Sequence, residues 1–295
     1  MSIWTVFKIL TGLIVIAVIA FSGKLAWHIL VAPQGRVFEK IVPHPKKIVG
    51  AKPEPPLTEI LAPGNVPVVD PGAGSFEKAR EMLAMGRIGD ARGKLTSITA
   101  NYPSSPSAVD ARRILSQMNL DEILSAQHKD GKQSVVVKRG DSYLAIAARN
   151  QTTLDMIQHL NQMGDFKGLQ PGEKLLVASL NYRVVIDTKR KTVGLQAGDQ
   201  FVSEWPAKEM PALKPTGAKP AKISSKLAVL DGKNVAMQSK DYRAAEKMIQ
   251  TGDPAVLIRG WDGFVEKPIS GILLSPPDME DLFLLTRSQN EVEIR

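Results

Sequence analysis

Forty-four residues, Ser134 to Val177, constrain the fold most tightly, because strand and helix signals alternate there in a fixed order. A β-branched run, Ser134-Val135-Val136-Val137, stops at Gly140-Asp141-Ser142. Gly140 supplies the backbone freedom of a tight turn, and Asp141 and Ser142 are helix-capping residues. A short helix is expected next, with Leu144, Ile146 and Ala147 inward. Thr152-Thr153-Leu154-Asp155 opens a second helix, since Thr152 with an acid three residues on is a helix-start signature. Ile157, Leu160 and Asn161 stand behind it. Leu169-Gln170-Pro171-Gly172-Glu173-Lys174-Leu175 then breaks the helix and turns into a second strand, Leu175-Leu176-Val177. The expected unit is strand, helix, helix, strand.

This order resembles the LysM domain, a βααβ module. The resemblance implies binding of N-acetylglucosamine polymers such as peptidoglycan and chitin. It also implies a sugar groove between two loops. Gly140, Asp141, Ser142 and Tyr143 lie in the first, and Leu169, Gln170 and Pro171 in the second.

The length of 295 residues suggests two or three folded units. The chain has no cysteine, which excludes disulfides, thiolate metal sites, a lipid-modified cysteine and a cysteine nucleophile. The net charge of +8 is spread out: +1 over 1–22, +2 over 23–74, +3 over 75–179 and +2 over 180–295. With 5% aromatic residues and no basic stripe, nucleic acid is not an expected partner. A diffuse basic surface suits wall polymers or lipid head groups. His28, His44, His128 and His159 lack ligand spacing, and no glycine-rich phosphate loop occurs, so neither metal nor cofactor is expected.

Ile3–Phe21 is apolar except for Thr5, Lys8, Thr11 and Gly12. Nineteen helical residues reach about 28 Å, close to the thickness of a hydrocarbon core. Two readings compete. One is an uncleaved anchor through residues 3–22, supported by the apolar character that resumes at Leu25–Val31. The other is a secretion signal cleaved after the small residues Ala20 and Ser22. The anchor is the expectation. Lys8 lies on one side and Lys24 and Arg36 on the other, so positive charge does not orient it. The LysM resemblance implies a bulk outside the cytoplasm, hence a single-pass protein of the bacterial inner membrane with its C-terminal part in the periplasm. Residues 32–74 hold nine prolines and read as a spacer that extends roughly 3.1 Å per residue.

Ser75–Gln127 shows helical spacing on three successive faces: Phe76, Ala79 and Leu83; Ile88, Ala91, Leu95 and Ile98; and Ala108, Ala111, Leu115 and Met118. Gly86 and Tyr102-Pro103 mark the breaks. Gly86-Arg87-Ile88-Gly89-Asp90-Ala91-Arg92-Gly93-Lys94-Leu95 resembles the middle of a tetratricopeptide repeat. That implies a short helical hairpin, and with it a possible cell-envelope protein partner. Such arrays need neighbours to bury a core.

Tyr182–Asp187 alternates as a strand, and Val193-Gly194-Leu195-Gln196-Ala197-Gly198 follows as a hairpin. Pro215-Thr216-Gly217, Ile258-Arg259-Gly260 and Pro268-Ile269-Ser270-Gly271-Ile272-Leu273-Leu274-Ser275-Pro276-Pro277-Asp278 complete a pattern. It resembles the L,D-transpeptidases, mainly-β enzymes that cross-link peptidoglycan stems through a cysteine nucleophile. Gly271 stands where that family has its cysteine. Arg259 and Ile269 stand at its two histidines, and Leu273 at its arginine. No histidine follows His159, so no shift of alignment restores a Cys–His pair. Acyl transfer needs an activated nucleophile and a base. Ser270 is the weak substitute, with Asp262 or Lys267 as conceivable bases.

The expected chain is therefore an α+β multidomain protein. It comprises a transmembrane anchor over 1–31, a Pro-rich linker over 32–74 and a tetratricopeptide-like helical hairpin over 75–128. A LysM domain over 133–179 and a degenerate L,D-transpeptidase-like domain over 181–295 follow. The expected function is peptidoglycan binding with an inactive transpeptidase-like domain, as scaffold or regulator of wall assembly. An active transpeptidase or hydrolase with a non-cysteine nucleophile is the alternative.

Overall fold

The structure, a computed structural model, describes residues 3–30, 69–216, 220–253, 256–263 and 270–295. Most of the expected linker, together with Gly217, Lys267 and Ile269, lies outside the described residues. The chain divides into two units, Met1–Val69 and Asp70–Arg295.

The first unit contains helix α1, Ile3–Leu30. Within it, Phe7–Trp27 is a 21-residue stretch of mean hydropathy 2.2, long and apolar enough to cross a membrane. An anchor and a secretion signal share that property. The Thr11 hydroxyl donates to the Phe7 carbonyl at 2.8 Å, which satisfies a polar group that hydrocarbon could not.

The second unit begins with three helices rather than one hairpin: α2 (Ala73–Ala84), α3 (Ile88–Asn101) and α4 (Pro106–Leu124). Ala79, Leu95, Ile98, Ala108, Ala111 and Leu115 form their shared core. The second unit starts at Asp70, inside the stretch that proline content assigns to the spacer. The Asp70 carboxylate accepts from the Ser107 backbone N–H at 3.0 Å and the Ser107 hydroxyl at 2.8 Å, tying the segment to the start of α4. Ser105 caps α4 by accepting from the Ala108 N–H, and Pro106 occupies the first turn, where a missing N–H costs nothing.

The βααβ segment follows as strand β1 (Lys132–Val136), helices α5 (Tyr143–Arg149) and α6 (Leu154–Leu160), and strand β2 (Lys174–Ala178). β1 and β2 pair antiparallel, Val135 opposite Leu175. Val137, Ile146, Ala147, Ile157, Leu175 and Val177 fill the space between strands and helices. The capping residue of α6 is Thr153, not Thr152. The Thr153 hydroxyl accepts from Met156 N–H, while the hydroxyl of buried Thr152 has no hydrogen-bond partner among the described residues. Leu144, expected inward, is 69% exposed. A seven-residue helix buries one narrow stripe, here Ile146 and Ala147, and Leu144 falls off it.

The remaining strands are β3 (Arg183–Asp187), β4 (Thr192–Ala197), β5 (Gln200–Pro206), β6 (Ala221–Leu230), β7 (Lys233–Asn234), β8 (Glu246–Thr251), β9 (Leu257–Gly260), β10 (Ile272–Leu274) and β11 (Glu291–Ile294). Helix α7 (Pro276–Leu285) links the last two and lies across β8 and β9. The sheet order is β10-β9-β8-β6-β11-β3-β4-β5, with β7 paired to β6. The β10–β9 and β11–β3 pairs are parallel.

Helix α4 covers the outer edge of β5. The Asn119 amide donates to the Val202 carbonyl at 2.8 Å, and Glu204 N–H donates to the Ser116 hydroxyl at 3.0 Å. An edge strand left bare would offer these groups to another chain. Leu120 of α4 and Met156 and Leu160 of α6 join Ile186, Leu195 and Leu282 in one hydrophobic cluster. Helix α4, the βααβ segment and the large sheet therefore share a core.

Candidate functional site

The structure brings the two expected glycan loops to one end of the βααβ segment. Gly140 adopts φ +84°, which lets the chain reverse after β1. The Asp141 carboxylate is committed to that turn. It accepts from the Lys138 N–H at 2.9 Å and from the Arg149 guanidinium at 3.1 and 3.3 Å. Arg149, then the Lys138 N–H, holds this carboxyl below the usual carboxylate range. Ser142 caps α5 by accepting from the Ala145 N–H at 3.1 Å.

The second loop is fastened to the end of β1. Val137 N–H donates to the Glu173 carbonyl at 2.8 Å, and Gly172 N–H donates to the Val137 carbonyl at 2.9 Å. Gly172 needs its φ of +91° to close this turn. Tyr143 bridges the loops, its ring tilted against Phe166 with centroids 4.6 Å apart. Burial, then the Glu173 charge, pushes the Tyr143 phenol upward. Leu169 packs against the core, whereas Gln170 and Pro171 are exposed. The surface so made offers exposed backbone, the apolar side chain of Leu144 and no uncommitted carboxylate on the first loop. That chemistry suits a neutral, hydroxyl-rich ligand better than a cation. Phe166 was missed from sequence, although an aromatic inside Gly164-Asp165-Phe166-Lys167-Gly168 is a signal in itself.

Asn161, read only as lying behind the second helix, does more. Its amide accepts from Leu176 N–H and donates to the Leu176 carbonyl, both at 2.8 Å, and so satisfies a stretch of β2 as a strand would.

The second candidate site is the place where the transpeptidase resemblance expects a degenerate centre. Gly271 has φ +117°, and an added Cβ would lie 2.9 Å from the Leu257 carbonyl oxygen and 3.6 Å from Arg259 Cδ. The position is shaped around the absence of a side chain. Arg259, on β9, makes a fork with Glu246 of β8, both bonds 2.7 Å. Its guanidinium is thereby engaged in an ordinary ion pair. Leu273 is buried and Ser270 exposed. Arg259, Glu246, Gly260, Trp261 and Met279 border a cleft of about 490 Å³. Among the described residues no group of three or more His, Asp or Glu side chains is placed to hold a metal ion.

Residues 135–178 match the family described as LysM domain. No curated protein matches the sequence. The chain is similar in structure to an L,D-transpeptidase from Mycobacterium smegmatis, with 13% identity over 42% of this chain and 63% of that one and a TM-score of 0.29. For L,D-transpeptidase 1 from Mycobacterium tuberculosis the values are 12%, 42%, 67% and 0.27. For an L,D-transpeptidase from Stackebrandtia nassauensis they are 11%, 65%, 79% and 0.28. The chain thus spans less than two thirds of the M. smegmatis chain. Residues 135–178 form a LysM domain, and the mainly-β domain after it has L,D-transpeptidases among its structural neighbours.

Proposed function

We propose that this chain is a membrane-tethered, peptidoglycan-binding protein of the bacterial cell envelope, acting as a scaffold or regulator of wall assembly and not as a transpeptidase. The observation that carries the binding half is the LysM domain at 135–178, whose two loops are held side by side through Val137, Gly172 and the Tyr143–Phe166 contact. In this reading Gly140, Asp141, Ser142 and Tyr143 flank the sugar on one side, and Leu169, Gln170 and Pro171 on the other. Asp141 acts by holding its turn against Arg149. The glycan lies outside the cytoplasm, so α1 would anchor the chain in the inner membrane, with residues 32–69 as the spacer that lets the bulk reach the wall. The outer faces of α2 and α3 are available to a protein partner, because α4 is occupied with β5.

The inactive half rests on chemistry. Acyl transfer through a thiolate needs a nucleophile, a base and oxyanion donors. The chain has no cysteine and no histidine after His159. Arg259 carries a permanent charge, cannot take a proton and is committed to Glu246. Gly271 leaves no room for a side chain.

The experiment is co-sedimentation of the purified full-length chain with purified sacculi, alongside incubation with isolated muropeptides. Wild type is expected to pellet, Tyr143→Ala to pellet roughly tenfold less, since a contact of 1–2 kcal/mol is lost, and no new cross-link to form. A wild-type chain that stays in the supernatant would refute the binding reading. Cross-linked or trimmed muropeptides that vanish with Ser270→Ala would replace the inactive reading with the enzymatic one.

A further inference from the structure

A cleft of about 640 Å³ opens where the LysM domain meets the C-terminal domain, and none of the residues that line it belongs to the two glycan loops. One wall is α6, with Asp155, Gln158 and His159. The second is the turn Lys240–Arg243, and the third is α7. The walls are fixed to one another. The Tyr242 hydroxyl donates to Asp155 at 2.7 Å, and the His159 ring nitrogen lies 3.1 Å from the Leu124 carbonyl. Lys247 lies 3.4 Å from Glu280 of α7 and donates to the carbonyls of Tyr242 and Ala245. These contacts account for Asp155, Tyr242, Lys247 and Glu280 without any ligand.

Two charged side chains in the cleft are left over. Arg243 is exposed and Asp281 half-buried, and among the described residues neither side chain makes a hydrogen bond or an ion pair. They do not pair with each other either. A ligand that enters the cleft strips water from both. A cation alone would leave the guanidinium uncompensated, and an anion alone would leave the carboxylate so; either outcome is costly. A molecule carrying both a cationic and an anionic group, such as an ammonium and a carboxylate, compensates both. The volume lies in the range that encloses small molecules. Arg243, Lys247 and Glu280 also line the cleft beside Arg259 and Trp261, so the two clefts adjoin and admit an elongated molecule.

We propose that this junction cleft binds a short zwitterionic peptide, its ammonium group at Asp281 and its carboxylate at Arg243. Gln158 and Gln162 on the α6 side supply amides for the peptide bonds between. The site is independent of the glycan grip, and sacculus binding and peptide binding are measured separately.

The test is isothermal titration of the purified full-length chain with tri-alanine, N-acetyl-tri-alanine and tri-alanine amide. Tri-alanine is expected to bind with Kd below about 1 mM. Each capped form should bind at least roughly tenfold more weakly, the loss expected for one charge-assisted hydrogen bond. Asp281→Asn should abolish the penalty of acetylation alone, and Arg243→Gln that of amidation alone. No heat up to about 10 mM tri-alanine overturns the proposal. So do equal affinities for free and capped peptides, or discrimination that survives in both variants. Should a variant fold poorly by circular dichroism, the three-ligand comparison on wild type still decides.

Discussion

Replacing Gly271 with alanine tests whether the position that the transpeptidase resemblance equates with a nucleophile is closed by geometry. The backbone there has φ +117°, outside the region that L side chains adopt readily. Holding a non-glycine residue in such a conformation costs on the order of 1–3 kcal/mol. The new Cβ would also lie 2.9 Å from the Leu257 carbonyl oxygen, closer than ordinary packing allows, and that oxygen is backbone in β9, so relief requires the strand to move. Overpacking of this kind adds about 1–3 kcal/mol. The expected total is about 2–6 kcal/mol. In a unit of this size each kcal/mol lowers Tm by roughly 2–4 °C. Gly198→Ala is the control. Gly198 has φ +60°, and nothing lies within 4 Å of an added Cβ, so it loses only the left-handed preference, about 1–2 kcal/mol. Thermal unfolding of the two variants by circular dichroism separates the contributions. If Gly271→Ala melts within experimental error of Gly198→Ala, the close approach to Leu257 does not matter and the argument fails. Gly271→Cys should carry the same penalty and still form no cross-links, because no base accompanies it.

Arg112 and Glu204 form a 3.0 Å pair between α4 and β5 with side chains only 7% and 12% exposed. Arg112→Ala leaves Glu204 to Arg190 alone and is expected to cost about 3 kcal/mol in urea unfolding; a loss below about 1 kcal/mol would mean the pair does not join helix to sheet. Lys226 donates to the carbonyls of Phe283 and Thr286 at 2.6 and 2.7 Å, and burial pushes its pKa down to about 8. The unfolded chain then holds more protons than the folded one between about pH 8 and the usual lysine value near 10.4, so stability should rise with pH across that window. The rise should be missing in Lys226→Met, and equal slopes in the two proteins would reject the assignment.

The sequence showed most clearly those elements whose signals are local. Ser142 is a cap that needs only its own next turn, and the structure bears it out. Gly140 and Gly172 mark their turns for the same reason. What stayed hidden depends on partners distant in the chain. Asp70 looked like the tail of a proline-rich spacer because its acceptor role toward Ser107 spans 37 residues. Three helical faces were legible, yet nothing in their spacing says that α4 lies along β5, since the bond from Asn119 to Val202 spans 83 residues. Leu144 was misplaced because periodicity cannot choose a stripe in seven residues. At the candidate sites the residue types were readable, but their availability was not. Asp141 and Arg259 each carry a charge that a ligand could want, and each is already claimed, by Arg149 and by Glu246. Arg243 and Asp281 make no hydrogen bond or ion pair among the described residues, and nothing in their sequence context shows it.

The common core changes what glycan binding would do. Met156 and Leu160, on the inner side of LysM helix α6, are buried in the same cluster as Leu282 and Ile294 of the C-terminal domain. The hand-over between the two is also hydrogen-bonded, with Leu180 N–H donating to the Gln151 carbonyl at 2.9 Å and the Asn290 amide donating to the Leu180 carbonyl at 2.8 Å. Burying two such side chains contributes roughly 3–6 kcal/mol, which is as much as a module of this size holds in total. The LysM domain is therefore not a bead on a string, and a glycan gripped by its loops would fix the orientation of the whole unit from Asp70 to Arg295. On the proposed function, a C-terminal domain held at a set angle to a bound glycan strand would be suited to presenting surfaces, which is the role a scaffold requires.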